Sequence, residues 1–77
     1  MALWNVYRWE HLPNRHGRPV RLWQGEAHNA PEAILATYAA KPQHRRKNLI
    51  ARPAAADLYA SNPLLAIERD DGKLSPG

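Results

Sequence analysis

Apolar side chains are concentrated in two segments within the first third of the chain. Residues 3–12 are rich in aromatic and β-branched side chains, and residues 18–27 contain a second such set. Runs of this kind are typical of β-strands. Between them, Pro13 and Gly17 bound a segment of turn-forming residues. We therefore expect an antiparallel hairpin.

A helix is predicted directly after the hairpin, over residues 30–41. Asn29 is a suitable N-cap, Pro31 fits the first turn, and Glu32 interacts favourably with the helix dipole. Pro42 ends the helix, because its ring clashes with a continuing helical backbone. The helix face expected to pack on the hairpin carries Ile34, Leu35 and Tyr38.

The remaining chain gives a weaker pattern. Residues 49–51 form a short apolar run that fits either a strand or part of a second helix. A short helix is expected over 54–60, followed by one further strand over 64–69. Residues 72–77 are expected to be a frayed tail. The whole, 1–77, is predicted to be a single small α+β domain, in which one helix packs on the hairpin.

Strict alternation along the second strand places Arg21 and Trp23 on one face, and Val20 and Leu22 on the other. The helix covers only one face of the hairpin. We therefore expect the other face to expose apolar and aromatic side chains beside Arg18 and Arg21, and exposed apolar patches usually mark contact surfaces. Alternatively, residues 49–67 wrap over this second face and bury it.

Positive charge is concentrated in the first two thirds of the chain. Residues 1–52 contain nine Lys and Arg against three Glu, whereas residues 53–77 contain two against four acidic residues. The densest group of cations is Lys41, Arg45, Arg46 and Lys47. Such a group can bind phosphates. Alternatively, it is a solvated loop after a helix C-terminus, where the helix dipole favours cations.

The sequence lacks the motifs of several functional classes. The chain has no cysteine, and its four histidines form no HExxH pattern, so we expect neither a metal nor another cofactor. Ser61 and Ser75 stand in turn-like contexts without a nucleophile signature, so we expect no enzyme activity. No apolar run approaches the length of about 20 residues that spans a bilayer, and we expect no secretory signal. A cytoplasmic location without membrane contact is expected.

These observations favour a non-enzymatic binding protein that docks on a protein or nucleoprotein complex. One alternative is direct, largely sequence-independent nucleic-acid binding, and another is a structural subunit of a homo-oligomer. Trp, Tyr and Arg are enriched at protein interfaces, and aromatic rings beside Arg also suit stacking on single-stranded bases. The residues expected to contact the partner are Arg18, Arg21, Trp23, Lys41, Arg45, Arg46 and Lys47.

The ββα order of residues 3–41, with its segments Trp4–Trp9, Leu22–Ala27 and Asn29–Ala33, resembles the opening of small phage and mobile-element accessory proteins, including some anti-CRISPR proteins. This chain departs from many anti-CRISPR proteins in being basic, with a formal net charge of +4. The resemblance implies a stoichiometric inhibitor that occupies the surface of a nucleoprotein effector. It assigns no role to individual residues.

Overall fold

Two long strands form the centre of a five-stranded sheet. The computed structural model describes residues 1–13 and 16–76. Strand β1 covers Ala2–Glu10 and strand β2 covers Arg18–Ala27, and they pair antiparallel along their full lengths. The predicted hairpin is therefore confirmed.

The turn of this hairpin is described only in part, because Asn14 and Arg15 lie outside the described residues. At its end, Gly17 has a φ of +107°, which L-residues rarely adopt. A Cβ atom at this position would lie 2.5 Å from the main-chain oxygen of Glu10. Both observations require glycine where the chain enters β2.

Three short strands complete the sheet in the order β3-β1-β2-β4-β5. Strand β3 (Ile50–Pro53) is antiparallel to β1, β4 (Ala66–Glu68) is parallel to β2, and β5 (Leu74–Pro76) is antiparallel to β4. The run at 49–51 thus contributes to a strand, and the strand expected over 64–69 is shorter. The α+β class is confirmed.

The short helix predicted over 54–60 forms as two separate helical turns instead of one continuous helix. Two 3₁₀ turns, Ala54–Ala56 and Tyr59–Ser61, occupy the segment. Between them Asp57 has an extended backbone, and its Oδ1 accepts a hydrogen bond from the main-chain N–H of Tyr59 at 2.9 Å. This local side-chain bond competes with the helical hydrogen bond and separates the turns.

Residues 72–77 were expected to be a frayed tail, but Leu74–Pro76 forms strand β5. The preceding turn is stabilised by Asp71, whose Oδ1 accepts a hydrogen bond from the N–H of Lys73 at 2.9 Å. Gly72 follows with a φ of +81°. The chain therefore reverses and returns alongside β4. Gly77 lies outside the described residues.

Helix α1 covers Ala30–Ala40 and has the predicted cap, because Oδ1 of Asn29 accepts a hydrogen bond from the N–H of Glu32 at 2.9 Å. Its buried residues are Ala33 and Thr37, whereas Leu35 is 66% exposed. The predicted packing face is therefore wrong for Leu35. Small helix residues face the sheet because the sheet supplies bulky side chains of its own. Among the described residues, no helix is long and apolar enough to cross a membrane.

An irregularity in β2 determines which side chains lie beneath the helix. Val6 is paired with Trp23, but the next residue, Tyr7, is paired with Arg21, so Leu22 is an extra residue. Paired residues share a face of the sheet. Trp23 therefore lies with Val6 on the helix side, and Arg21 lies with Tyr7 on the opposite side. The expectation that Arg21 and Trp23 share a face is wrong, because a bulge interrupts the alternation.

The hydrophobic core lies on the helix side of the sheet, in two neighbouring clusters that share Leu49. Val6, Ala27 and Ala33 form the first cluster, and Trp4 and Trp23 pack against it. The second cluster consists of Val20, Leu22 and Ala66, with Leu49 and Leu74 packed against it.

The opposite face of the sheet is partly covered by the chain that follows β3. Tyr7 is fully buried there, and its ring meets that of Tyr59 edge-on at 5.3 Å between centroids. Leu3 and Trp9 remain 46% and 37% exposed. The sequence left open whether the later chain buries this face. The later chain buries Tyr7 at the centre of the face, but it leaves Leu3 and Trp9 partly exposed.

Candidate functional site

The basic loop, defined as residues 41–48, connects helix α1 to strand β3. It begins with a 3₁₀ turn over Pro42–His44. The N–H of Arg45 donates to the oxygen of Pro42 at 3.1 Å, and the N–H of Lys47 donates to the oxygen of His44 at 3.0 Å. The hydroxyl of Tyr38 also donates to the main-chain oxygen of Lys47 at 2.8 Å. These bonds fix the backbone of the loop against the helix.

Two side chains at the start of the loop contact Glu68 at the end of β4. Nζ of Lys41 donates to the main-chain oxygen of Glu68 at 2.9 Å and lies 3.4 Å from its carboxylate. Nε2 of His44 is 2.8 Å from the same carboxylate. The side chains of Lys41, His44 and Glu68 are 9%, 5% and 10% exposed. We call this buried group the Glu68 anchor.

The electrostatics of the anchor keep Glu68 ionised. Burial alone would raise the pKa of Glu68. The hydrogen bond from His44 and the charges of His44 and Lys41 outweigh the burial and lower this pKa below its ordinary value of 4.5. Nδ1 of His44 is buried without a hydrogen-bond partner among the described residues.

The predicted role of Lys41 is corrected by this arrangement. Lys41 was expected to contact a partner, but it is buried and bound to Glu68. A charged side chain in the interior needs such an ion pair to offset its loss of solvation. Lys41 therefore positions the basic loop and is not available on its surface.

Arg45, Arg46 and Lys47 lie on the surface of the loop. All three are exposed. Within residues 1–13 and 16–76, their side chains form no ion pair and no hydrogen bond. Three neighbouring cations are thus presented to solvent by a backbone that is held in place.

The predicted hairpin residues are less exposed than these cations. Nη2 of Arg18 is 2.8 Å from the carboxylate of Glu10, which also lies 3.3 Å from Arg8. The charge of Arg18 is therefore partly neutralised within the chain. Arg21 is half-buried on the opposite face of the sheet. Trp23 is half-buried against the core, where a Cβ on Gly25 would lie 2.5 Å from its ring. Trp23 is therefore a packing residue.

A polar network around Asp57 was not predicted from the sequence. Its carboxylate accepts hydrogen bonds from Nδ2 of Asn5, at 2.7 Å, and from the hydroxyl of Tyr7. Nε2 of Gln24 donates in turn to Oδ1 of Asn5 at 2.7 Å. Burial, followed by the hydrogen bond to Asp57, raises the pKa of Tyr7 well above its ordinary range. The partners are distant along the chain, so no local pattern marks this network.

A row of two aromatic rings and a cation lies on the same face. Cζ of Arg52 is 5.2 Å from the centroid of the Tyr59 ring, and the ring of Trp9 is 6.3 Å from that of Tyr59. The sequence marked Trp9 as strand-forming but assigned no contact role to Arg52 or Tyr59. We call these three side chains the aromatic row.

The arrangement suits the binding of anions at the basic loop, because the cations are exposed and the residues that hold the loop are buried elsewhere. Arginine, in particular, matches the geometry of phosphate oxygens with paired N–H donors. No protein family, curated protein or solved structure matches this chain.

Proposed function

We propose that the protein is a non-enzymatic binding protein that docks on a nucleoprotein partner, with Arg45, Arg46 and Lys47 contacting phosphates of its nucleic acid. The observation that supports this most strongly is the structure of the basic loop. Three adjacent cations are exposed, while the Glu68 anchor and the hydrogen bond from Tyr38 hold the backbone. A loop that is already ordered loses little conformational entropy on binding.

Direct binding of nucleic acid, without a protein partner, is the second candidate and uses the same three cations. Phosphate contacts carry no sequence information, so this binding is expected to be largely sequence-independent. The resemblance to anti-CRISPR proteins extends the first candidate to inhibition of a nucleoprotein effector. That extension and the structural subunit of a homo-oligomer both stay predictions.

The proposal is tested by titrating labelled random-sequence oligonucleotides, single-stranded and duplex, with the protein at low salt. The double variant Arg45→Glu/Arg46→Glu is expected to weaken binding at least about tenfold, because attraction to phosphates becomes repulsion. Its thermal midpoint should change little, since neither side chain has a partner within the described chain.

The matched control is Arg69→Glu/Lys73→Glu, which changes the net charge equally at the exposed turn between β4 and β5. An equal loss of affinity in this control would contradict a specific role for the basic loop. Absence of binding by the unmodified protein at low salt would contradict the second candidate, direct binding of nucleic acid. A pull-down with and without nuclease separates the two candidates, because protein subunits survive nuclease treatment only if the chain also contacts protein.

A further inference from the structure

A small hollow lies on the sheet face opposite helix α1, beside the end of β3. It has a volume of about 120 Å³ and is lined by Arg52, Ala56, Leu58 and Tyr59. Arg52 belongs to this face because it is paired with Asn5, the neighbour of the helix-facing Val6. Pockets for drug-sized ligands begin at about 300 Å³. This hollow therefore fits a single ring or a smaller group.

The lining of the hollow combines flat and aliphatic surfaces. Cζ of Arg52 stands 5.2 Å from the centroid of the Tyr59 ring, as expected for a cation–π contact. Aromatic rings and guanidinium groups are the surfaces on which unpaired nucleic-acid bases stack. Ala56 and Leu58 supply the aliphatic part, and Leu58 is 87% exposed. These surfaces are complementary to a planar ring.

The nearest carboxylate along the chain is not part of the lining of the hollow. Asp57 lies between Ala56 and Leu58, but its carboxylate accepts hydrogen bonds from Asn5 and Tyr7 on the sheet. Arg52 is consequently the charged side chain among the described residues that line the hollow. Arg52 therefore supplies a guanidinium group that can pair with a phosphate next to the ring.

The hollow also lies within reach of the basic loop. Lys47 and Arg52 are five residues apart, so their Cα atoms are separated by at most about 17 Å. Trp9 extends the stacking surface, with its ring 6.3 Å from that of Tyr59 and 37% of its area exposed. A short single strand can reach both the cations and the rings. A duplex offers its phosphates, but its bases are already paired and stacked.

We propose that the hollow binds one unpaired pyrimidine base of a single-stranded nucleic acid, stacked against Arg52 and Tyr59, while the basic loop contacts neighbouring phosphates. This inference rests on the proposed function and names the class of nucleic acid that the site recognises. It predicts that the protein binds single strands more tightly than duplexes of the same length and sequence.

The test measures the affinity of the full chain for labelled oligothymidine and for a duplex of equal length. Ala56→Leu fills the hollow, and Arg52→Lys keeps the charge but removes the planar group. Each is expected to weaken oligothymidine binding at least about fivefold, the lower limit for loss of one stacked base, and to leave duplex binding unchanged. The matched controls are Ala55→Leu, at an exposed neighbour outside the lining, and Arg69→Lys.

Equal affinity for single strands and duplexes would overturn the inference. So would unchanged oligothymidine binding in Ala56→Leu and Arg52→Lys. If Arg45→Glu/Arg46→Glu still weakens binding in either case, the proposed function stands, and a protein side chain becomes the expected occupant of the hollow. If the unmodified protein binds neither oligonucleotide, the inference fails together with direct nucleic-acid binding, whereas docking on a nucleoprotein partner is tested separately by the pull-down.

Discussion

Asp57 shows how much of this small domain depends on single polar side chains. Its carboxylate connects the chain after β3 to the sheet through Asn5 and Tyr7, and it also accepts the main-chain N–H of Tyr59. Hydrogen bonds to a charged group are stronger than those between neutral groups. Asp57 thereby keeps Tyr59 over the sheet and so positions the aromatic row.

Replacing Tyr7 by phenylalanine tests this role. Tyr7→Phe removes a buried hydrogen bond to a carboxylate and should lower the free energy of unfolding by about 1–3 kcal/mol. Urea denaturation measures the change. The control is Tyr38→Phe, whose hydroxyl bonds to the main chain at an exposed position and whose loss should cost less. An equal effect of both substitutions would contradict the structural role of Tyr7.

The stability difference between the unmodified protein and Tyr7→Phe is also expected to depend on pH in the alkaline range. The folded-state pKa of Tyr7 is raised above its ordinary value of 10.0, chiefly by burial. Its contribution to stability is therefore complete below pH 10.0 and is lost as the pH rises towards the folded-state pKa. The stability difference between the unmodified protein and Tyr7→Phe should shrink above pH 10.0. A constant difference would be inconsistent with a raised pKa.

At the scale of single residues, the bulge at Leu22 explains why alternation predicts the wrong sheet face for Trp23. Alternation predicts faces correctly along β1, where Trp4 and Val6 face the helix and Tyr7 faces away. In β2 one extra residue shifts the alternation, so Trp23 lies beneath the helix. A bulge arises from pairing with another strand, and the sequence of one strand alone does not specify it.

Among the elements, the basic loop depends most on a distant partner. The run of cations is local, so the sequence revealed it. The anchoring role of Lys41 and His44 was not predictable, because Glu68 lies 27 and 24 residues further along the chain. A buried lysine and an exposed one look alike in a single sequence. The structure thus separates the residues that hold the loop from those that face solvent.

Glu68→Gln tests the anchor. It leaves the buried charge of Lys41 without its counter-ion, so the free energy of unfolding should fall by about 3 kcal/mol in chemical denaturation. Asp71→Asn is the control, because the Arg69–Asp71 pair, at 3.5 Å, is exposed. Its loss should cost less than about 1 kcal/mol.

Acidification provides a second readout of the anchor. The folded-state pKa of Glu68 is lowered from 4.5, so its stabilising contribution is present above pH 4.5 and is lost as the pH falls through the folded-state pKa. The stability advantage over Glu68→Gln should therefore decrease below pH 4.5. An advantage that persists at strongly acidic pH would contradict the ion-pair anchor.

Considered as a whole, the molecule shows where sequence reasoning succeeds. The hairpin, the cap at Asn29 and the helix end before Pro42 depend on near neighbours, and all three were predicted. Strands β3 and β5 are only 4 and 3 residues long. Such short strands form through pairing with distant residues and carry little signal of their own.

At the scale of the whole molecule, the salt dependence of nucleic-acid binding is the most direct test of phosphate binding by the basic loop. Each phosphate contact contributes about 0.7–0.9 to the slope of the logarithm of the binding constant against that of the salt concentration. Replacing Arg45, Arg46 and Lys47 together by glutamine should therefore reduce the slope by about 2.1–2.7, whereas Arg69→Gln/Lys73→Gln should leave it nearly unchanged. An unreduced slope in the triple variant would contradict phosphate binding by the basic loop.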